Sequence, residues 1–273
     1  MSHKPVLVSF VFSALLALGA RAQIPTLPDS AETKWVVDAP EEIVGYLIFD
    51  PATVEDRLPS LLRFITVQEL ASSQIPWARE HLDEYPAHAG WGISFIEIVR
   101  MGTFEIDGRS PKWPEHGAGA LWCARVAPSD SMTELGPGQP FLILEFWMPD
   151  SMFAAFMREK GHYASFGDVR LRKNPAGKWL GSVEVEGLRA VCNCTPARDV
   201  ESSGSAGMQV FFPPALSKVT SVVRVAFAGH EVRRCEEAAS WRFEGVHPLA
   251  RGVMLGRSTF QFGYDLIGGA YRR

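Results

Sequence analysis

The chain has 273 residues, an apolar fraction of 47% and a formal net charge of −4. This slightly acidic balance argues against nucleic acid as a partner, because nucleic-acid binding needs a concentrated basic surface. The apolar fraction is large enough for a sizeable core, so the fold need not depend on disulfides for its stability.

The first 22 residues have the pattern of a secretory signal peptide. Lys4 precedes a run of thirteen mostly apolar residues, and Ala20-Arg21-Ala22 forms an A-x-A cleavage site. We expect cleavage near Ala22 and a secreted or periplasmic protein, with an uncleaved N-terminal anchor as the alternative. Thirteen residues are too few to span a bilayer, and no later stretch approaches the roughly 18 that a span requires, so we expect no stable membrane insertion.

The next part of the chain predicts a lead-in followed by one domain. Residues 23–42 are rich in proline, acid and small polar groups, and we place a single domain at residues 43–273. Ile43–Phe49 reads as a short strand, and Asp50-Pro51 supplies an N-cap and a proline that open a short helix. Thr66-Val67-Gln68-Glu69 is a capping box that predicts a second helix.

From Trp91 onward the pattern predicts β-strands. Apolar residues on both faces between Gly92 and Ile106 indicate a strand covered on both sides, as in a barrel or a covered sheet. Further strand-like segments are 118–126, 141–148, 168–173, 178–185, 188–194, 208–212, 219–228 and 253–264. Together with a few short helices, they predict an α+β fold made mostly of antiparallel strands.

Local signals mark the ends of several of these elements. Asp150 is placed to cap a helix over Ser151–Lys160, and Gly161 to end it. Asn174-Pro175-Ala176-Gly177 predicts a hairpin turn, and turns are also expected at Pro213-Pro214 and Gly229-His230. We expect the polar stretch Val200–Gly207 to be a loop.

Four cysteines follow the predicted cleavage site: Cys123, Cys192, Cys194 and Cys235. Cys192 and Cys194 would lie on the same face of a strand, so neither can readily bond the other. Export permits disulfides, and we expect at least one bond from this strand to Cys123 or Cys235. Buried free thiols are one alternative. A zinc site is another, but the expected cysteine spacing and a histidine pair are missing, so we expect no metal.

The corner that follows the predicted helix concentrates polar groups beside an apolar strand. Lys160 could act as a catalytic amine, although a cation at the end of a helix is also favoured by the helix dipole. His162 could act as an acid or a base, or be a structural histidine. An amine, an imidazole and a phenol in one corner would suit carbonyl chemistry.

Two further residues of this corner are candidates for substrate binding, Arg158 and Tyr163. The guanidinium of Arg158 could anchor a substrate carboxylate, or it could form a surface ion pair with Glu159 or Asp168. Glu97 is a separate catalytic candidate, because it interrupts an apolar strand and a buried carboxylate must be paired, hydrogen-bonded or protonated. It could instead be exposed or satisfied by Arg100.

The order of these features resembles that of the acetoacetate decarboxylase superfamily over roughly residues 43–265. The stretch Asp50–Pro59 is similar to the family's early short helix that ends in proline, and Trp91–Val99 resembles its strand with a buried glutamate. Arg158-Glu159 followed by Gly161 resembles the corner that leads to the family's lysine pair. The resemblance implies a closed, mostly antiparallel β structure around a pocket that contains Glu97.

The chain departs from the family at the lysine pair itself. The register that fits best places Ala164 and Ser165 where the two lysines belong. An imine mechanism needs an amine aimed at the substrate carbonyl, which alanine and serine cannot supply. The resemblance therefore implies the fold and the pocket, but not acetoacetate decarboxylation through an imine.

Two functions follow as hypotheses. The first is an exported enzyme that acts on an oxo acid or related carbonyl compound by decarboxylation, proton transfer or aldol-type chemistry, using Glu97 and the corner at residues 158–163. The alternative is a non-catalytic secreted protein that binds a small apolar ligand in the same cavity. Both have a small molecule as partner and need no cofactor, and homo-oligomers are compatible with either.

Overall fold

The structure is a computed structural model that describes residues 33–129, 139–160, 162–211, 221–236 and 241–272. The predicted signal peptide, the predicted helix terminator Gly161 and the predicted turn at Pro213-Pro214 lie outside these residues. Within them, the α-helices are α1 (Val67–Ser72), α2 (Pro76–Glu84) and α3 (Ser151–Glu159). None of these helices is long and apolar enough to cross a membrane.

Fourteen strands account for most of the described residues. They are β1 (Thr33–Phe49), β2 (Leu62–Phe64), β3 (Gly92–Arg100), β4 (Thr103–Ile106), β5 (Gly119–Pro128), β6 (Gln139–Met148), β7 (Ser165–Phe166), β8 (Asp168–Lys173), β9 (Trp179–Val185), β10 (Leu188–Cys194), β11 (Pro196–Phe211), β12 (Ser221–Cys235), β13 (Arg242–Gly245) and β14 (Val253–Arg272). Ten of them form a large sheet, and β13, β10, β9 and β8 form a small sheet in that order.

Seven strands of the large sheet pair in a circuit. In the order β5, β3, β1, β14, β12, β11 and β6, each strand pairs with the next, and β6 pairs again with β5. Only the pairing of β11 with β6 is parallel within this circuit. The arrangement agrees with the predicted α+β fold of mostly antiparallel strands in a closed sheet.

Local signals correctly predicted several helix starts. The Thr66 side chain accepts a hydrogen bond from the Glu69 amide at 3.2 Å, while Glu69 accepts one from the Thr66 amide at 2.8 Å, which completes the capping box. Asp150 caps α3 through the amides of Met152 and Phe153, both at 3.0 Å. The Asn174–Gly177 turn also forms where it was predicted, with Gly177 at φ +82°.

Long-range pairing overrode the local signals elsewhere. The strand predicted from Ile43 starts at Thr33, because that part of β1 pairs with both β14 and β4. The predicted loop Val200–Gly207 lies within β11, and the predicted turn at Gly229-His230 lies within β12. These two predictions were wrong, because the strands pair through these segments with register shifts that absorb the irregular sequence.

Two apolar cores cover opposite faces of the large sheet. The inter-sheet core lies between the large sheet and the small sheet, and includes Ile96, Trp122 and Leu171. The helix-side core lies beneath α3 and β4, and includes Phe146 and Phe153. Both faces of β3 and β5 are therefore covered, which explains why their sequences lack a simple alternation of apolar and polar residues.

A disulfide joins the two sheets. Cys194 at the end of β10 is bonded to Cys235 at the end of β12, with their Cα atoms 5.1 Å apart. This pairing confirms the prediction of a bond from the Cys192/Cys194 strand to Cys123 or Cys235. The other two candidates, Cys123 and Cys192, are buried free thiols.

Candidate functional site

The predicted catalytic corner follows α3 and folds back on itself. One guanidinium nitrogen of Arg158, Nη1, donates a hydrogen bond to the carbonyl of Ala164. Ala164 is fully buried, and Ser165 pairs with Trp147 at the start of β7. The two positions where the family resemblance expects lysines therefore hold a methyl group and a hydroxyl.

Lys160 lies at the surface end of this corner. Its Nζ forms an ion pair with Asp107 Oδ2 at 2.7 Å, and it lies 5.7 Å from the centroid of the Phe156 ring. The side chain is 36% exposed. The ion pair engages the amine of Lys160, and this fits the role of a cation at the end of a helix.

His162, the next described residue of the corner, is completely buried. Its backbone amide donates to the carbonyl of Met157 at 2.9 Å, which continues the end of the helix. Burial lowers the pKa of its imidazole to about 4, although the carboxylate of Asp107 acts in the opposite direction. The ring is therefore neutral at physiological pH.

Tyr163 points to a second group of polar side chains, which were not predicted together. Its hydroxyl lies near the carboxylate of Glu145, and its pKa is raised by burial and by that negative charge. Arg57 and Arg158 act against this rise, so both cations lie within electrostatic range of the phenol. A raised pKa keeps the phenol protonated and able to donate a proton.

An irregularity in β6 determines the direction of the Glu145 side chain. Trp122 pairs with Glu145 whereas Cys123 pairs with Ile143, so one extra residue is inserted on β6. Leu144 belongs to the inter-sheet core, and Glu145 shares the face of its partner Trp122. The bulge thus places an acid that is only 4% exposed on the inter-sheet side.

Arg57 reaches the same place from the start of the domain. One of its guanidinium nitrogens, Nη1, forms an ion pair with Glu145 and also donates to the carbonyl of Leu144 at 3.1 Å. This edge of β6 pairs with β11 as far as Leu142 and with β7 from Trp147 onward. The guanidinium therefore occupies the interval between two strand pairings and satisfies a carbonyl there.

His247 completes the group from the other end of the chain. Its Nδ1 accepts a hydrogen bond from the Leu249 amide at 3.2 Å, so the proton of the neutral ring is on Nε2. Nε2 lies 3.6 Å from Glu145 Oε1, and the ring packs edge-on against Trp122 and Trp147. We refer to Arg57, Glu145, Tyr163 and His247 as the Glu145 cluster.

Glu97 lies apart from this cluster. It pairs with Leu121, which in turn pairs with Phe146 of the helix-side core, so it shares that face of the sheet. The residue is half-buried, but its carboxyl group is surrounded by protein. Burial, and then the nearby carboxylate of Glu42, raise its pKa well above the usual value.

The five predicted site residues are therefore divided by the fold. Tyr163 and Arg158 lie at the Glu145 cluster. Lys160 and His162 lie beside Asp107 instead. Glu97 is separate from both groups, on the helix-side face of the large sheet. Sequence reasoning missed three members, Arg57, Glu145 and His247. The signal that singled out Glu97, an acid inside an apolar strand, applies equally to Glu145 in FLILEFWM. Within the described residues, no group of three His, Cys, Asp or Glu side chains is arranged to hold a metal.

Comparison with solved structures identifies the fold. An acetoacetate decarboxylase-like enzyme from Sphingomonas wittichii RW1 is similar over 92% of this chain and 96% of its own, with a TM-score of 0.50 and 16% identity. The enduracididine biosynthesis enzyme MppR, complexed with pyruvate, is similar over 91% of each chain, with a TM-score of 0.54 and 14% identity.

An acetoacetate decarboxylase is also similar, over 91% of each chain, with a TM-score of 0.51 and 12% identity. No family model and no curated protein sequence matches the chain. The protein thus has the acetoacetate decarboxylase-like fold, as the resemblance in its sequence implied.

Proposed function

We propose that the protein is an enzyme that acts on a small oxo acid or related carbonyl compound by acid–base chemistry, without an imine. The observation that carries this proposal is the position of Tyr163 near the buried carboxylate of Glu145, with Arg57 paired to that carboxylate and Arg158 nearby. A neutral phenol beside two cations suits the protonation of a substrate oxygen or carbon as negative charge develops there.

Each member of the site has a distinct role in this proposal. Tyr163 is the general acid and Glu145 orients its phenol, and when the reaction runs in the other direction the phenolate of Tyr163 takes the proton back from the substrate. Arg158 binds the substrate carboxylate through the donors that its bond to Ala164 leaves available. Arg57 and His247 hold Glu145 in place, and Trp122 and Trp147 supply apolar walls.

The other predicted residues have secondary roles in this proposal. Glu97 remains a candidate acid on the helix-side face, where burial and the carboxylate of Glu42 raise its pKa and so favour the protonated form. Lys160 and His162 act as supports of the corner, because one is paired at the surface and the other is buried and neutral. This assignment requires no covalent intermediate on lysine.

A panel of 2-oxo and 3-oxo acids that includes pyruvate and acetoacetate would test the proposal. In D2O, proton NMR follows both loss of the carboxyl group and exchange of the protons next to the carbonyl. We expect turnover of at least one acid, and a fall of at least about a hundredfold in kcat for Tyr163→Phe. Tyr85→Phe is the matched control, since Tyr85 also lies beside a glutamate, Glu84, but at the exposed end of α2.

Two outcomes would contradict the proposal. A covalent adduct on a lysine after borohydride treatment with an oxo acid would show that the chemistry proceeds through an imine. Turnover that Tyr163→Phe leaves intact would remove the phenol from the mechanism. If no acid is turned over and native mass spectrometry finds a retained apolar ligand, the non-catalytic binding protein becomes the better description.

We also propose that the protein is exported, with cleavage near Ala22. The pattern of the first 22 residues supports this, and a disulfide between Cys194 and Cys235 is compatible with an oxidising compartment. N-terminal sequencing of the protein from its own source tests the proposal. A chain that begins at Met1 would contradict it.

A further inference from the structure

The outer face of the small sheet, which points away from the inter-sheet core, carries a recess of about 410 Å³. That volume lies within the range of pockets that hold small organic molecules. The side chains of β8, β9 and β10 alternate between the core and this outer face. The recess is therefore built on a rigid sheet that a disulfide attaches to the large sheet.

The register of the small sheet places its charged residues in rows. One row contains Arg172, Leu180 and Asn193, and the next contains Arg170, Ser182, Val191 and Arg242. All seven line the recess. The third row contains Asp168, Glu184, Arg189 and Glu244.

The third row neutralises only part of this positive charge. Asp168 binds Arg170 through two hydrogen bonds at 2.9 and 2.8 Å, and Glu184 and Glu244 both pair with Arg189. Among the described residues, Arg172 and Arg242 have no acidic partner within ion-pair distance. Two guanidinium groups therefore remain available at opposite sides of the recess.

The middle of the recess is partly apolar. Leu180 and Val191 are half-buried there, and they lie between the exposed side chains of Arg172 and Arg242. Ser182 lies beside them and offers a hydroxyl group. An apolar centre with arginine at two sides matches a molecule that has an acidic group and a short apolar body.

We propose that this recess binds a small organic acid, whose carboxylate is held at one side by Arg172 or at the other by Arg242 and whose apolar part contacts Leu180 and Val191 between them. The site is on the opposite side of the small sheet from the inter-sheet core. It does not depend on the function proposed for the Glu145 cluster, and a ligand could occupy it whether or not that cluster is catalytic.

Titration of the full, isotope-labelled chain with hexanoate tests the proposal, with NMR shifts of backbone amides reporting the location. We expect the largest shifts at Ser182, Val191 and Asn193. Acetate should bind at least about tenfold more weakly, because it leaves the apolar centre in water. Added salt should weaken the binding of both acids.

Variants of exposed arginines separate this site from others. The double variant Arg172→Gln/Arg242→Gln should weaken hexanoate binding by about tenfold, since it removes both charged donors, and each single variant should weaken it less. Arg189→Gln is the matched control on the same face, and it should change the affinity less than about twofold because its guanidinium is already paired.

Two results would overturn the inference. One is a set of shifts centred on Tyr163 and His247, which would mean that the acid binds at the Glu145 cluster instead. The other is a hexanoate affinity unchanged in the Arg172→Gln/Arg242→Gln double variant. These side chains are exposed, so unchanged melting temperatures would show that the variants fold.

Discussion

Trp241 packs directly on the backbone of Gly45, so that a Cβ added there would lie 2.3 Å from the indole Nε1. Gly45 is in β1 at a register shift between its partners in β14, and Trp241 immediately precedes β13 of the small sheet. The ring also stacks on Phe243, with centroids 5.8 Å apart. The absence of a side chain at Gly45 thus lets the small sheet approach the large one.

Gly45→Ala should destabilise the protein by about 1–3 kcal/mol, because the added methyl group must displace a packed indole. Urea unfolding followed by tryptophan fluorescence measures the change. Gly90→Ala is the control, since nothing lies within 4 Å of a Cβ at that position, and it should be close to neutral. Equal effects of the two substitutions would contradict the close packing.

Arg57→Leu should destabilise the protein by about 3 kcal/mol, because it leaves the carboxylate of Glu145 buried without its main cation. The double variant Arg57→Leu/Glu145→Leu should recover part of that loss, since no unpaired charge remains. A double-mutant cycle of unfolding free energies measures the coupling. Additive effects would mean that the ion pair does not stabilise the fold.

Glu97→Gln should flatten the dependence of stability on pH above about pH 4.5. Burial and the carboxylate of Glu42 raise the folded-state pKa of Glu97, so the folded protein holds a proton there that the unfolded chain has released. The unfolding free energy of the natural protein therefore falls as pH rises above the unfolded pKa, by at most about 1.4 kcal/mol per pH unit from this group.

Denaturant unfolding of Glu97→Gln between pH 4 and 9 measures that difference. The variant should become more stable than the natural protein towards the upper end of this range. Glu80→Gln, on the exposed side of α2, serves as the control and should follow the natural profile. Parallel curves for Glu97→Gln and the natural protein would contradict a raised pKa.

His162→Gln should remove the loss of folding stability that His162 causes as the pH becomes acidic. Burial lowers the folded-state pKa of His162 to about 4, so below about pH 6.5 the unfolded chain takes up a proton that the folded protein does not. Stability therefore falls between about pH 6.5 and 4, by up to about 3 kcal/mol. An identical acid limb in His162→Gln and in His116→Gln, where the side chain is exposed, would refute this explanation.

Loss of the disulfide should lower stability by about 4 kcal/mol, because it closes a loop with a sequence separation of 41. Cys194→Ala/Cys235→Ala measures this, and Cys192→Ala tests a buried cysteine that carries no bond. Alkylation of the denatured, unreduced protein should modify two thiols, and prior reduction should raise the number to four. Four modified thiols before reduction would rule out the bond.

The sequence correctly predicted the helix caps and the turn that depend on residues close together in the chain. The capping box at Thr66, the cap at Asp150 and the Asn174–Gly177 turn each involve residues within four positions of one another, so local patterns were sufficient. The pairing of Cys194 with a distant cysteine was also within reach, because few alternatives existed. The resemblance to the acetoacetate decarboxylase superfamily supplied the closed sheet.

The Glu145 cluster could not be predicted in the same way. Arg57, Glu145, Tyr163 and His247 come from four separate parts of the chain, so only the tertiary fold, including the bulge that directs Glu145, brings them together. The predicted grouping of the corner residues failed for a related reason. The corner does not present its side chains to one side: Lys160 and His162 lie beside Asp107, whereas Tyr163 lies near Glu145.

The extra residue in β6 has a further consequence for how this fold can vary. If β6 alternated regularly from Ile143 onward, Glu145 would lie on the face of Leu121 rather than on that of Trp122. If the extra residue followed Glu145 instead of preceding it, the carboxylate would therefore lie on the other face of the sheet, in the other core. Proteins with this backbone could carry the same acid at the same place along β6 and yet serve opposite sides of the molecule.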